Sequence, residues 1–416
     1  MFESISHRIC FVFCLLSGSC GPVWGANRPF PQHTTYTEDA IHPSVPQEER
    51  DRVVTAFHRV WKKKYLRPMR KGELCVFANP DRVDNGKELR VVSEGQGYGM
   101  LISVLMAGSD PKARETFDAL YRYARAHPSA VSPALMGWKQ VYREGKEEKE
   151  PGPGHENAAT DGDLDIALAL LMAGRQWGND GAIHYEAEGL KTAAAILRFE
   201  SGKRTPRLGS WVGQTGKYAG SIRTSDFMPS HFRTFLEASG EEKWRVMTNR
   251  GHAVFASLTK ENAPKTGLFP DFAIRGERGY RPASADFLEG PSDGFFYYNA
   301  CRVPWRLTTD YLLTGDPRSL ALLEPLNAWI REATGNDPSQ INAGYRLDGQ
   351  PLSRDRSAAF LGPFAVAAMT DATEGNQLWL DALWRELVNR RDVEDAYYGN
   401  TIKLLCLLVL SGNWWQ

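Results

Sequence analysis

The chain has 416 residues, 42% of them hydrophobic and 24% charged, which is enough apolar material for one large core or two ordinary ones. Lysine plus arginine and aspartate plus glutamate number 50 each. That balance excludes a whole-protein field that would draw the chain to nucleic acid or to an anionic membrane.

In chain order, MFESISHR precedes the apolar ICFVFCLLSGSC and the small-residue stretch GPVWGAN, the order of a secretory leader with cleavage near Ala26. The apolar stretch falls short of the roughly 20 residues a membrane span needs. A secreted or periplasmic protein is expected, with residues 1–26 as leader and 27–416 as one domain. Cys10, Cys14 and Cys20 lie in the leader; Cys75, Cys301 and Cys406 are far apart and form no CxxC pair, so buried free thiols are expected and no metal cluster.

Helical periodicity recurs at residues 47–65, 96–107, 111–127, 161–177, 183–198, 227–239, 241–257, 299–314, 317–332, 356–371, 374–390 and 395–411. The spacing predicts an all-α chain. AGSDPKA, SGEE, TGDPRS and TDATEGN are tight turns, whereas the segments 66–95, 128–160, 199–226, 258–298 and 333–355 are long and rich in glycine, proline and aromatics. Short turns tie antiparallel pairs, so the long loops gather at one end. Every second helix then starts at that end, and those starts carry polar or acidic residues. The pattern predicts one closed helical toroid with a functional face. REGKEEKEPGPG, at 143–154, reads as a solvated loop.

Three stretches carry chemistry. In VVSEGQGYGM, Gly95, Gly97 and Gly99 lack the GxGxxG spacing and the strand–helix setting of a dinucleotide loop. Glycines in a first helical turn instead let a backbone or a flat ligand approach, and are expected to clear room for a sugar chain beside Glu94. In ATDGDLDIALALLMAGRQW, Asp161, Asp163 and Asp165 crowd one turn, so at least one should be paired or have a raised pKa; the run into an apolar helix argues against a calcium loop. In DFLEGPSDGFFYYNACRVPWR, the acids Asp286, Glu289 and Asp293 precede an aromatic run and Arg302 and Arg306.

Together SEGQGYGM, ATDGDLDIALALLMAGRQW, SDFMPSHFRTF, ACRVPWRLTTDYL and FLGPFAVAAM resemble glycoside hydrolase family 8, over nearly the whole mature chain. The resemblance implies an (α/α)6 barrel, a secreted glycanase and no cofactor. It implies that Glu94 is the general acid and that Asp161 contacts the sugar at the cleavage point. Many members place an aspartate base where this chain has Asn299, and an amide cannot accept the proton of the attacking water. A subgroup of chitosanases and lichenases has asparagine there and takes a glutamate from the preceding loop, which here is Glu289. In an inverting hydrolase one carboxylic acid protonates the leaving oxygen and a carboxylate across the ring deprotonates water.

Trp138 and Trp211 in glycine-bearing loops, with Phe227, Tyr297 and Tyr298, are expected to stack on sugar rings, while Trp177 and Trp244 read as core. Arg302 is expected to orient a catalytic carboxylate and Arg306 to make a structural salt bridge. The expected ligand is a β-1,4-linked polysaccharide, chitosan or mixed-linkage β-glucan first, the surplus of acids suiting a cationic polymer. Cellulose-type glucan and then xylan follow. A binding protein without catalysis is the other class, and a monomer is expected.

Overall fold

The computed structural model describes residues 25–70, 72–78, 88–143, 146–148, 154–277 and 279–416. The expected leader, with Cys10, Cys14 and Cys20, lies outside the described residues except for its last two positions.

Among the described residues there are twelve α-helices: α1 (Gln47–Tyr65), α2 (Ser93–Leu105), α3 (Ala113–Ala126), α4 (Thr160–Trp177), α5 (Tyr185–Ala195), α6 (Pro229–Ser239), α7 (Lys243–Asn262), α8 (Val303–Thr314), α9 (Pro317–Ala333), α10 (Ala358–Ala367), α11 (Glu374–Asn389) and α12 (Tyr397–Leu410). All match the periodicity. Two shifts at helix starts bear on chemistry: α2 begins at Ser93, ahead of the expected 96, and so carries Glu94 inside its first turn, and α8 begins at Val303, which leaves Asn299 and Arg302 ahead of it.

Side-chain patterning sorts these helices into two rings. All ten residues of α10 and thirteen of the fourteen in α12 are buried, as a helix enclosed on every side requires. By contrast α3 buries Ala113, Thr116, Phe117, Ala119, Leu120, Tyr123 and Ala124, a single stripe at helical spacing. The even-numbered helices touch in the closed order α2, α4, α6, α8, α10, α12 and back to α2. Around them α3 packs on α2, α5 on α4, α7 on α6, α9 on α8, α11 on α10 and α1 on α12. This is the (α/α)6 barrel.

Among the described residues four small sheets qualify the all-α expectation, all in the long loops, and two of them bear on the site. The strand Glu88–Val92 pairs antiparallel with Lys139–Arg143 and delivers the chain directly into α2. Ile222–Arg223 pairs with Phe272–Arg275, which pairs in turn with Tyr280–Pro282, and Arg223 stands opposite Phe272. These strands stiffen loops that carry side chains to the open end of the barrel.

The glycines of SEGQGYG do something other than make room for sugar. All three are buried. A Cβ on Gly95 would stand 2.5 Å from the Tyr397 hydroxyl, one on Gly97 2.8 Å from Asp165 Cβ, and one on Gly99 2.6 Å from Val76 Cγ2. Gly162 answers from α4, where a Cβ would come within 2.7 Å of the Glu94 nitrogen. Gly97 and Gly162 bring α2 and α4 into backbone contact, because no side chain fits between them, while Gly95 admits Tyr397 of α12 and Gly99 admits Val76. Cys75, Cys301 and Cys406 are buried free thiols, and Trp177 and Trp244 are core. No helix among the described residues is long and apolar enough to cross a membrane.

Candidate active site

The open end gathers the starts of the inner helices. Ser93 N donates to the Trp138 carbonyl at 3.0 Å, which ties the start of α2 to the loop that carries Trp138. Glu94, one residue on, points its carboxyl at Arg302, the last residue of the one-turn helix Ala300–Arg302 that leads into α8. Arg302 is 1% exposed and makes four polar contacts to side chains: Nη1 donates to Glu94 Oε2 at 2.7 Å, to Asp161 Oδ2 at 2.9 Å and to the Tyr98 hydroxyl at 3.3 Å, and Nη2 donates to Asn299 Oδ1 at 2.9 Å.

Asn299 continues the chain of contacts. Its Nδ2 donates to Glu289 Oε2 at 2.8 Å and to Asp271 Oδ2 at 3.3 Å, so its carbonyl faces a guanidinium and its amino group two carboxyls. Asp271 also accepts backbone N–H bonds from Tyr297 at 2.9 Å, Asn299 at 3.1 Å and Ala300 at 2.7 Å, which fixes the turn that presents Asn299. Asp293 does the same for Glu289: its buried carboxyl accepts from the backbone of Leu288, Glu289 and Gly290. Glu289 thus stands on a braced loop while its side chain is half exposed.

Arg223, at the end of its short strand, reaches Asp161 Oδ1 at 3.1 Å, Asp226 Oδ1 at 3.5 Å and Glu289 Oε1 at 3.7 Å. Each of the three crowded aspartates finds its own answer. Burial would raise Asp161, but Arg223 and Arg302 more than offset it and hold the carboxyl at about 2. Burial pushes Asp163 up to about 8, against the Met136 N–H bond at 3.0 Å and the charge of Arg125. Asp165 is lowered despite its burial, because Arg306 Nη2 donates to it at 2.6 Å and His231 Nε2 lies 2.9 Å away. That buried cluster sits deeper than the cleft, so Arg306 is the structural ion pair expected.

Burial raises Glu94 to about 7; Arg302 pulls against that rise and the Asp161 carboxylate adds to it. A carboxyl that holds its proton near neutrality is a group able to donate one. Burial likewise lifts Asp271 to about 7, against the N–H bonds from Ala300 and Asn299.

Two adjoining cavities run along this end. One, about 370 Å³, is lined by Glu94, Asp161, Tyr298, Asn299 and Tyr398 together with Trp138, Arg223 and Glu289. The other, about 420 Å³, shares Trp138, Arg223 and Glu289 and adds Asn157, Leu208 and Trp211. The structure thus brings Glu94, Asp161, Glu289, Trp138, Trp211, Tyr298 and Asn299 to one cleft. Phe227 is not on it: the ring is 4% exposed and packs against Phe255 and His252, so it belongs to the core. Tyr297 is half buried, edge-on to Tyr298 with centroids 4.7 Å apart, and lines neither cavity. Arg302 lies beneath the floor as the clamp for Glu94 and Asp161.

Sequence reasoning missed Arg223, Asp226, Asp271 and Tyr398. Asp271 interrupts the apolar run LFPDFAI, and an acid in such a setting is the signal that could have marked it. Arg223 sits in a long loop with no periodicity to single it out. Among the described residues one other group has the make-up of a metal site, His252, Asp310 and Asp316. Its carboxyls are taken up by Arg233, Arg318 and Ser319, which makes it an ion-pair network between helices.

A helical barrel whose open end holds a proton-bearing glutamate among ionised carboxylates and aromatic faces has the make-up of a carbohydrate hydrolase. The sequence pattern of "Glycosyl hydrolases family 8" matches residues 56–412, and the chain belongs to that family: it is a glycoside hydrolase. A beta-glucanase of Niallia circulans is 40% identical over 417 residues, spanning 100% of this chain and 98% of the relative. An endoglucanase of Bacillus sp. (strain KSM-330) is 36% identical over 422 residues, 99% of this chain and 86% of that one. The apo structure of a beta-1,3-1,4-glucanase from Paenibacillus sp. X4 superposes with a TM-score of 0.87 at 41% identity, covering 94% of this chain and 99% of the other.

Proposed function

We propose that the chain is an inverting, endo-acting glucanase that cleaves mixed-linkage β-1,3-1,4-glucan, with Glu94 as general acid and Glu289 as general base. The observation that carries this reading is the connected path Glu94–Arg302–Asn299–Glu289 along the floor of one cleft. Glu94 holds a proton to about pH 7 and gives it to the leaving glycosidic oxygen. Glu289, across the cleft, takes a proton from water as that water attacks the anomeric carbon; inversion requires roughly 6.5–9.5 Å between two such carboxyls. Asp161, ionised between two guanidiniums, stands where positive charge develops on the sugar ring. Asn299 has no proton-accepting carboxylate, which supports a base drawn from the preceding loop.

A neutral glucan is favoured over chitosan on electrostatic grounds. The acids that would attract a cationic glucosamine polymer are already matched within the protein, Glu94 and Asp161 by Arg302, and Asp161 and Glu289 by Arg223. The similarity to a beta-glucanase and a beta-1,3-1,4-glucanase supports the same choice. The test is reducing-sugar release from lichenan, carboxymethylcellulose, chitosan and xylan, with the anomer of the first product followed by proton NMR. Fastest release from lichenan with the inverted anomer is expected. Faster hydrolysis of chitosan would overturn the substrate, and retention of configuration would overturn the roles. The leader over residues 1–26 supports action outside the cytoplasm, tested by the N-terminal sequence of protein recovered from the medium or periplasm.

A further inference from the structure

Glu289 is set apart from the other carboxyls of the cleft by its exposure. Its backbone is braced by Asp293, yet half of its side chain faces solvent, so something must choose among its rotamers. Two groups touch its carboxylate, one at each oxygen: the Asn299 amide at Oε2, 2.8 Å away, and the Arg223 guanidinium at Oε1, 3.7 Å away. Asn299 is itself held by Arg302 and Asp271. Arg223 is held by the strand pairing opposite Phe272 and by its contact with Asp161. Among the described residues it is also the one cationic side chain that lines both cavities, at the junction where the scissile bond would lie.

We infer that Arg223 is a positioning residue for the base: its guanidinium spans Asp161 and Glu289 and holds the Glu289 carboxylate toward the attacking water. The inference rests on the assignment of Glu289 as base and adds to it a partner on the far side of the cleft. The surroundings of Arg223 agree with such a role. Its Nε and Nη1 are buried yet make no aligned hydrogen bond, so the group works as a charge between carboxylates and is not consumed by a single partner. Behind it lie Asp226 and Glu200, whose carboxyl oxygens also lack hydrogen-bond partners. Burial raises Asp226 to about 7 and lifts Glu200 well above the carboxylate range. In their protonated form these two leave the charge of Arg223 to Asp161 and Glu289. Two guanidiniums, Arg223 and Arg302, then face two carboxylates, Asp161 and Glu289.

The test is a double-mutant cycle on lichenan with Arg223→Lys, Glu289→Gln and the pair. Lysine keeps the buried charge beside Asp161 but concentrates it at one nitrogen that cannot reach both carboxylates. Arg223→Gln serves as a second variant that keeps a planar donor group, and either variant folded, as judged by its thermal transition, is sufficient. A kcat lower by about 100-fold with KM within about three-fold is expected, the signature of a misplaced reacting group. In the background of Glu289→Gln the same substitution should cost less than about two-fold, because the group it positions is gone. Losses that multiply in the double variant would show that Arg223 acts elsewhere and would overturn the inference. An inactive Glu289→Gln beside an Arg223→Lys as fast as the parent would overturn the inference alone. Near-parent turnover by Glu289→Gln would overturn the base assignment and the inference with it.

Discussion

Arg302 donates from a single nitrogen, Nη1, to Glu94 at 2.7 Å and to Asp161 at 2.9 Å, yet the two carboxyls it shares are driven in opposite directions. Asp161 has a second guanidinium, Arg223, and the Gly162 N–H, and stays ionised down to about pH 2 against its burial. Glu94 has burial and the neighbouring Asp161 carboxylate, and keeps its proton to about pH 7. A general acid is lost as pH rises through its pKa, so kcat should fall on the alkaline side with a midpoint near pH 7. Glu94→Gln should lower kcat by about 1,000-fold on a poor leaving group and abolish that limb. A pH–rate profile on lichenan from pH 4 to 9 for both proteins checks this.

The buried acids also govern stability. Asp163 is raised to about 8 and Asp226 and Asp271 to about 7, each mainly by burial. A carboxyl with a raised folded pKa contributes stability that is complete below its unfolded value, roughly 3.9, and lost as pH rises through the folded value. The thermal transition should therefore fall as pH rises from about 4 to about 8 and level off above that. Asp161 has the opposite sign, its contribution lost as pH drops through about 2. Asp163→Asn, which can still accept the Met136 N–H bond, should flatten the decline up to about pH 8; a slope equal to the parent's in scanning calorimetry between about pH 5 and 8 would refute the argument.

Gly162→Ala tests the contact of α2 with α4. The added methyl would meet the Ser93 carbonyl carbon at 2.6 Å and the Glu94 nitrogen at 2.7 Å, both backbone atoms that cannot swing aside. Overpacking of this kind costs about 1–3 kcal/mol, and here it also displaces the acid. A lower transition temperature together with a lower kcat is expected, read by calorimetry and kinetics on the same preparation.

The aromatic residues should divide by location. Trp138 and Trp211 line the cleft, and Trp211 is 37% exposed at an edge-on contact with Tyr218. Losing one stacked ring is worth about 0.5–1.5 kcal/mol, so Trp138→Ala and Trp211→Ala should raise KM about three- to ten-fold with little change in thermal stability. Phe227→Ala should do the reverse, destabilising by about 3–5 kcal/mol with KM unchanged in the folded fraction.

How far the sequence could be read depended on the kind of signal each residue leaves. The twelve helices leave a period, and Glu94, Asp161 and Glu289 sit in short motifs, so both were legible. Phe227 was misplaced because SDFMP looks like a loop mouth; in the fold its ring turns inward onto Phe255. Arg223 was not legible, since it acts across a strand pair that forms only when two long loops meet; Asp271 left a signal as an acid inside LFPDFAI, but its partners, the backbone N–H groups of Tyr297, Asn299 and Ala300, leave none. The glycines of SEGQGYG were recognised as room for a close approach, but the partners they admit are Tyr397, α4 and Val76.

Asn299→Asp is expected to inactivate. The new carboxylate would lie 2.8 Å from Glu289 and 3.3 Å from Asp271 where an amide now donates to both. Like charges at that spacing cannot all ionise, so the aspartate would take up a proton or push Glu289 off its water. Activity on lichenan below about 1% of the parent, with the fold kept, is the expected result.

The amide at 299 therefore has a bearing on ancestry. Asparagine and aspartate differ by one nucleotide, so a lineage could cross between them in a single step, yet in this cleft the step is blocked while Glu289 is present. A descendant that moved its base to position 299 would first have to give up the glutamate on the loop, passing through a form with no base at all. Positions 289 and 299, ten residues apart in sequence and joined by one hydrogen bond, are thus constrained as a pair although each is a single nucleotide from its alternative.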